Sequence, residues 1–228
     1  MNRAPVVNQR VRAKAVWGGE GGRPLLRLIV GLVLAALTAS CGDVIRQGSG
    51  SSYLIVQQVE AASGAEPGTF GATLNSDVVT VVNNQPTIFD DVGRVRFSLG
   101  LKDAGGTDSP ARPTSNNFIT LTRYHVRYFR TDGRNKTPQD CINGSCTPDV
   151  PSAFDGAFTG TVSSDFSVGF QLVRHAAKEQ APLQALGING TIISTICEIT
   201  FYGADQTGHE VIATAQMSIN FGNFGDPG

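Results

Sequence analysis

Metal-binding and catalytic side chains are scarce in this chain, which holds three histidines and four cysteines among 228 residues. His125, His175 and His209 stand far apart, and no paired Cys/His spacing of the kind that holds zinc occurs. There is no Gly-x-Ser-x-Gly elbow, no His-Glu-x-x-His and no phosphate loop ending in Gly-Lys-Ser/Thr. The sequence therefore assigns no catalytic residue, no metal ligand and no cofactor. Hydrolases also gather residues distant in sequence, so an enzyme without a recognisable motif stays open as an alternative. No stretch matches an EF-hand loop. Asp90-Asp91, Asp132, Asp155 and Asp205 could meet a calcium ion between loops. Turn chemistry explains them better, because Asp bonds its own backbone in turns.

A surplus of positive charge is missing too. Residues 1–40 carry six of the 18 Lys+Arg and one of the 19 Asp+Glu, which leaves 12 and 18, a net charge of −6. Such a part lacks the electrostatic footprint of a nucleic-acid binder. A long apolar run is the third absence. The longest, 28–37, falls short of the ~20 residues a membrane helix needs. It follows six basic residues in 1–27 and precedes the small residues Thr38, Ala39 and Ser40. Basic segment, short apolar core and small-residue exit describe a secretory signal peptide.

Leu37-Thr38-Ala39-Ser40-Cys41 resembles the lipobox of bacterial lipoproteins. It departs from the commonest pattern at Thr38, where leucine is usual; here Leu37 sits one place early. The resemblance implies cleavage before Cys41, lipidation of that cysteine and a membrane-anchored life in the cell envelope. Acyl chains would supply the anchoring, each buried CH₂ contributing about 0.8 kcal/mol. Gly42, where Asp would signal retention in enteric bacteria, implies the outer membrane. The alternative is ordinary cleavage near Ala39 or Ser40, which releases a soluble protein. The organisation expected is leader 1–40, lipidated cysteine and Gly/Ser tether 41–51, and a single domain over 52–228.

Helix signals are nearly absent from that domain. Only 175–186 reads as helical, and Pro182 should break or kink it. Strand patterns fill the rest: 53–56, 77–82 closed by Asn83-Asn84, 94–101, 117–130, a pair at 158–162 and 166–173, and 191–202 with 211–221 around a turn-rich loop. Short strands with polar turns and almost no helix indicate an all-β sandwich. The hairpin at 191–221, with its turn from Tyr202 to Glu210, resembles the closing hairpin of bacterial immunoglobulin-like modules. That resemblance implies an immunoglobulin-like β-sandwich with one short helical crossover and long loops; alone it implies no activity.

Four features could carry function. Cys141 and Cys146 lie in a loop of an exported chain, where disulfides persist, and their spacing allows a small ring. Cys197 shares a strand face with Ile199 and Phe201, which favours a buried thiol; a bridge to the loop is the rival. In 117–130, Arg123, His125 and Arg127 alternate on one face with Ile119, Leu121 and Phe129. They form either an anion- or glycan-binding stripe or a solvated face paired with acids across the sheet. The loops 103–116 and 131–156 are long enough to bind a ligand. The function expected is a lipid-anchored, non-enzymatic envelope module that binds or supports another envelope protein or a glycan. A glycan or small-ligand binder using those two loops is the alternative.

Overall fold

The computed structural model describes residues 50–224. The leader and Cys41, and with them the expected lipid anchor, lie outside the described residues. The strands are β1 (Ser52–Ala62), β2 (Thr73–Asp77), β3 (Thr80–Val82), β4 (Gln85–Thr87), β5 (Asp91–Leu101), β6 (Gly105–Gly106), β7 (Ser109–Pro110), β8 (Ile119–Arg130), β9 (Phe154–Val162), β10 (Phe166–Val173), β11 (Ile193–Asp205) and β12 (Glu210–Gly222). Between β10 and β11 runs a compact crossover: α1 (His175–Lys178), a 3₁₀ turn (Leu183–Ala185) and α2 (Leu186–Asn189). Among the described residues no helix is long and apolar enough to cross a membrane.

Two sheets stack as a sandwich. One has the order β1-β5-β10 and is antiparallel. The other has the order β2-β12-β11-β8-β9; within it only β2 runs parallel to its neighbour, β12. The first strand lies on one sheet and the next on the other beside the last strand, an immunoglobulin-like arrangement. The fold class is therefore the one the sequence patterns indicate, with the helical crossover in its expected place.

Alternating side chains build the core. On β5, Val95 and Phe97 are fully buried while Arg94 and Arg96 face solvent. Phe97 meets Phe201 of the opposite sheet edge-to-face, ring centroids 4.9 Å apart. Phe170 adds a second such contact to Phe201 at 5.6 Å, and Tyr124 packs on Phe170 at 5.1 Å. Burying a side chain of this size contributes roughly 1.5–3 kcal/mol, and the edge-to-face geometry about 0.5–1.5 kcal/mol more. Tyr128 is buried but its hydroxyl donates to the Leu172 carbonyl at 2.6 Å, so no polar tip is stranded. Its burial pushes the phenol well above its ordinary range. Gly156 lies opposite Tyr124 on β9, and a Cβ there would collide with the tyrosine ring; the ring takes the place of the missing side chain.

Four details differ from the sequence reading. Residues 77–82 are not one strand: β2 ends at Asp77 and β3 begins at Thr80, whose Oγ1 donates to Asp77 Oδ2. Asn83 and Asn84 both take positive φ, 52° and 58°, in the tight β3–β4 turn. β9 and β10 do not pair; residues 163–165 carry the chain from one sheet to the other. Period two identifies a strand but not its partner. The loop after β8 ends at 153, since β9 begins at Phe154. Finally, β8 does not keep one phase. Ile119 and Leu121 point inward, and so do Tyr124, Val126 and Tyr128. A bulge shifts the register between Leu121 and Arg123 against β9, and between Tyr202 and Gly203 against β11. One extra residue in a strand flips the side chains that follow, which separates Ile119 and Leu121 from the arginine face.

Candidate binding surface

The outer face of the five-stranded sheet carries Arg123, His125 and Arg127. Beside them on β11 stand Tyr202, Thr200 and Glu198, and beyond those on β12 stand Ile212, Thr214 and Gln216. His125 Nδ1 lies 3.1 Å from Asp155 Oδ1 of β9, and Arg123 Nη1 lies 4.0 Å from the same oxygen. Arg127 stands opposite Glu198 in register. The three basic residues thus share one face with two carboxylates, Asp155 and Glu198.

The bulge shapes one end of this face. A recess of about 540 Å³ opens where β8, β11 and β12 meet the β11–β12 turn. The Arg123 guanidinium lies 3.8 Å from the Tyr202 ring centroid and forms one wall with it. Ile212, 43% exposed, stands across from Tyr202. Gln206 reaches over from the turn and donates to Thr120 Oγ1 at 3.0 Å. Gly203 and Ala204 lower the floor. A Cβ at Gly203 would strike the Thr120 carbonyl, so the close approach of β8 and β11 needs glycine there.

The turn below is internally fixed. Asp205 Oδ1 accepts from the Thr207 and His209 amides, both at 2.9 Å, and from Thr207 Oγ1 at 2.7 Å. Desolvation alone would raise the Asp205 carboxyl; the Thr207 and His209 hydrogen bonds outweigh it and hold the group below the usual range. Gly50 is buried beside Asp205 and His209. The Lys102 amide donates to the Ser51 carbonyl, and Ser52 Oγ donates to the Asn117 carbonyl at 2.7 Å. The chain therefore joins the sandwich at the end that carries the recess.

The loops 103–116 and 131–153 flank β8 at its two ends. Twelve strand residues separate them by roughly 35–40 Å, so one small ligand touches only one of them. The first carries the exposed hairpin β6–β7 and the 3₁₀ turn Ser115–Asn117. The second holds the Cys141–Cys146 disulfide, Cα atoms 4.9 Å apart. Its acids are engaged: Asp132 lies between Arg130 and Arg134, whose hydrogen bonds hold its carboxyl far below the usual range. Asp140 accepts from the Thr137 amide and hydroxyl, both at 2.8 Å.

Cys197 is a free thiol, fully buried, and burial pushes it well above its ordinary value. His125 sits beside Asp155, His175 beside Asp90 and His209 beside Asp205, each through Nδ1. Among the described residues no group of three or more His, Cys, Asp or Glu side chains is placed to hold a metal ion.

The sequence reading missed a buried ion pair. Lys178 of α1, 1% exposed, donates to Asp91 Oδ1 at 2.9 Å and to the Asp77 carbonyl at 2.7 Å. Asp91, 0% exposed, also accepts from Ser76 Oγ at 2.6 Å and from the Gly64 amide at 2.9 Å. Burial pushes the Asp91 carboxyl up, against the pull of Lys178, Ser76 and Gly64. This cluster ties the crossover to β2 and β5. A lysine in the middle of the one helix-like segment was the available signal. It does not stand out, because most helix lysines are solvated.

Compared with known proteins, the chain matches no protein-family model and no curated protein.

Proposed function

We propose that the chain is an exported, lipid-anchored cell-envelope protein that works by binding another envelope component, not by catalysis. The anchor is Cys41, and Gly42 directs the protein to the outer membrane. The observation that carries the binding reading is the recess beside the β11–β12 turn. There an arginine stacked on a tyrosine, an exposed isoleucine and a side-chain amide converge on rigid strand and turn positions. Aromatic and arginine side chains are the usual anchors of protein contact surfaces. The ten residues 42–51 extend at most about 35 Å, and they join the sandwich at the recess end. An anchored protein would therefore keep the recess close to the membrane from which it hangs.

The test is the mass of the N-terminal peptide of protein extracted from membranes. The expected peptide begins at Cys41 and carries acyl chains, and a Cys41→Ser protein leaves the membrane fraction. An unlipidated peptide beginning near Ala39 or Ser40 would end the anchored reading.

A further inference from the structure

We infer that the recess beside the β11–β12 turn binds an uncharged saccharide; this rests on the binding-module reading and names its ligand. The shape comes first. A volume of about 540 Å³ over a floor of Gly203 and Ala204 suits one or two sugar rings, not a folded protein edge. The chemistry comes second. A sugar offers an apolar C–H face and a rim of hydroxyls that both donate and accept. The recess offers the matching pair. Tyr202 and Ile212 supply apolar surface on adjacent strands, and Thr120, Thr122, Gln206, Arg123 and Glu210 surround it with donors and acceptors.

Charge decides against an acidic ligand. Among the described residues Arg123 is the sole cation lining the recess, and Asp155 lies 4.0 Å from it. Glu210 and Asp205 also line the recess, so the described residues bring no excess of positive charge to the opening. A sulfated or carboxylated glycan would meet repulsion with little to offset it. The arginine keeps a different use. Placed over the Tyr202 ring, with Cζ 3.8 Å from the ring centroid, its planar fork can offer donors to hydroxyl oxygens. The bulge that puts β8 out of phase is what creates this site: it turns Arg123 outward beside Tyr202 and leaves room above Gly203.

The experiment is calorimetric titration of the full mature protein, purified in detergent, with malto-, cello- and chito-oligosaccharides, and with heparin as the acidic comparison. The expected result is saturable binding to one neutral series, with a dissociation constant of about 1 mM or tighter. It should be unchanged between about 20 and 300 mM salt. Tyr202→Ala and Gln206→Ala each weaken it about tenfold or more, whereas Tyr202→Phe, which keeps the ring, retains it. The fold is checked in every variant by the continued protection of Cys197 from thiol reagents. Three results overturn the inference: no binding to any neutral series at about 10 mM, affinity that survives Tyr202→Ala, or tighter binding to heparin that falls with salt. A protein crosslinked to the recess, with no saccharide bound, would also overturn it while leaving the binding-module reading in place.

Discussion

Replacing Lys178 by methionine isolates the interaction that joins the crossover to the sandwich. Methionine keeps the length and apolar stem of lysine but removes the charge. Asp91 then keeps its hydrogen bonds from Ser76 and Gly64 and loses its counter-ion, while the Asp77 carbonyl loses a donor. Breaking a buried ion pair from one side costs about 3–5 kcal/mol, since an uncompensated charge stays in the interior. For a domain of this size each kcal/mol moves Tm by about 2–4 °C, so the expected drop is about 6–20 °C. Thermal unfolding followed by circular dichroism reads it. The double variant Lys178→Met/Asp91→Asn should recover at least half of the loss, because the amide oxygen still accepts from the Gly64 amide, its NH2 can donate to the Ser76 hydroxyl oxygen, and no charge is left buried. A drop under about 3 °C for Lys178→Met, or a double variant no better than the single one, would refute the argument.

Other consequences follow from the same geometry. Removing the disulfide by Cys141→Ser/Cys146→Ser closes no long loop, and the chain-entropy relation gives about 2 kcal/mol for so short a ring. The expected effect is faster proteolysis between residues 138 and 147 with a Tm change of at most about 8 °C; a larger loss would place the bridge in the core's support. Cys197 should resist thiol reagents in the native protein and label fully in denaturant, and labelling of native protein at the unfolded rate would contradict its burial. Asp205 and Asp90 both have carboxyls held below the usual range, with hydrogen bonds to charged-form oxygens outweighing desolvation. Their contribution to stability is therefore present above the ordinary carboxylate pKa, about 3.9, and is lost as pH falls below it. Asp205→Asn should flatten the acid limb of the Tm-against-pH curve, and an unchanged limb would show that the turn does not contribute.

The sandwich was legible because its strands alternate. Phe166 to Val173 has the bounds read from the pattern alone, and the β11–β12 hairpin differs in a shorter turn, a first strand that begins two residues later and a second that ends one residue later. Partnership was not legible. β9 and β10 adjoin in sequence yet lie on different sheets, since nothing in a two-residue period says which edge a strand joins. The binding surface was half visible. Arg123, His125 and Arg127 share an outer face as their spacing indicates, but the bulge before them has no sequence signal of its own. Strict alternation therefore placed Ile119 and Leu121 beside the arginines, when both are buried. Tyr202 and Gln206 lie about 80 residues further along, and only the pairing of β8 with β11 brings them to Arg123. The Asp91–Lys178 pair was hidden for the same reason: its members are 87 residues apart.

The most direct test of an anchored module that binds through this recess is photocrosslinking in intact cells. A photoreactive amino acid replaces Ile212 at the recess or, as the control, Ile55 on the outer face of the other sheet. One dominant adduct is expected from position 212, absent from position 55 and lost in the Cys41→Ser protein. Equal adducts from both positions, or an adduct from 212 that persists without Cys41, would contradict the anchored-module reading.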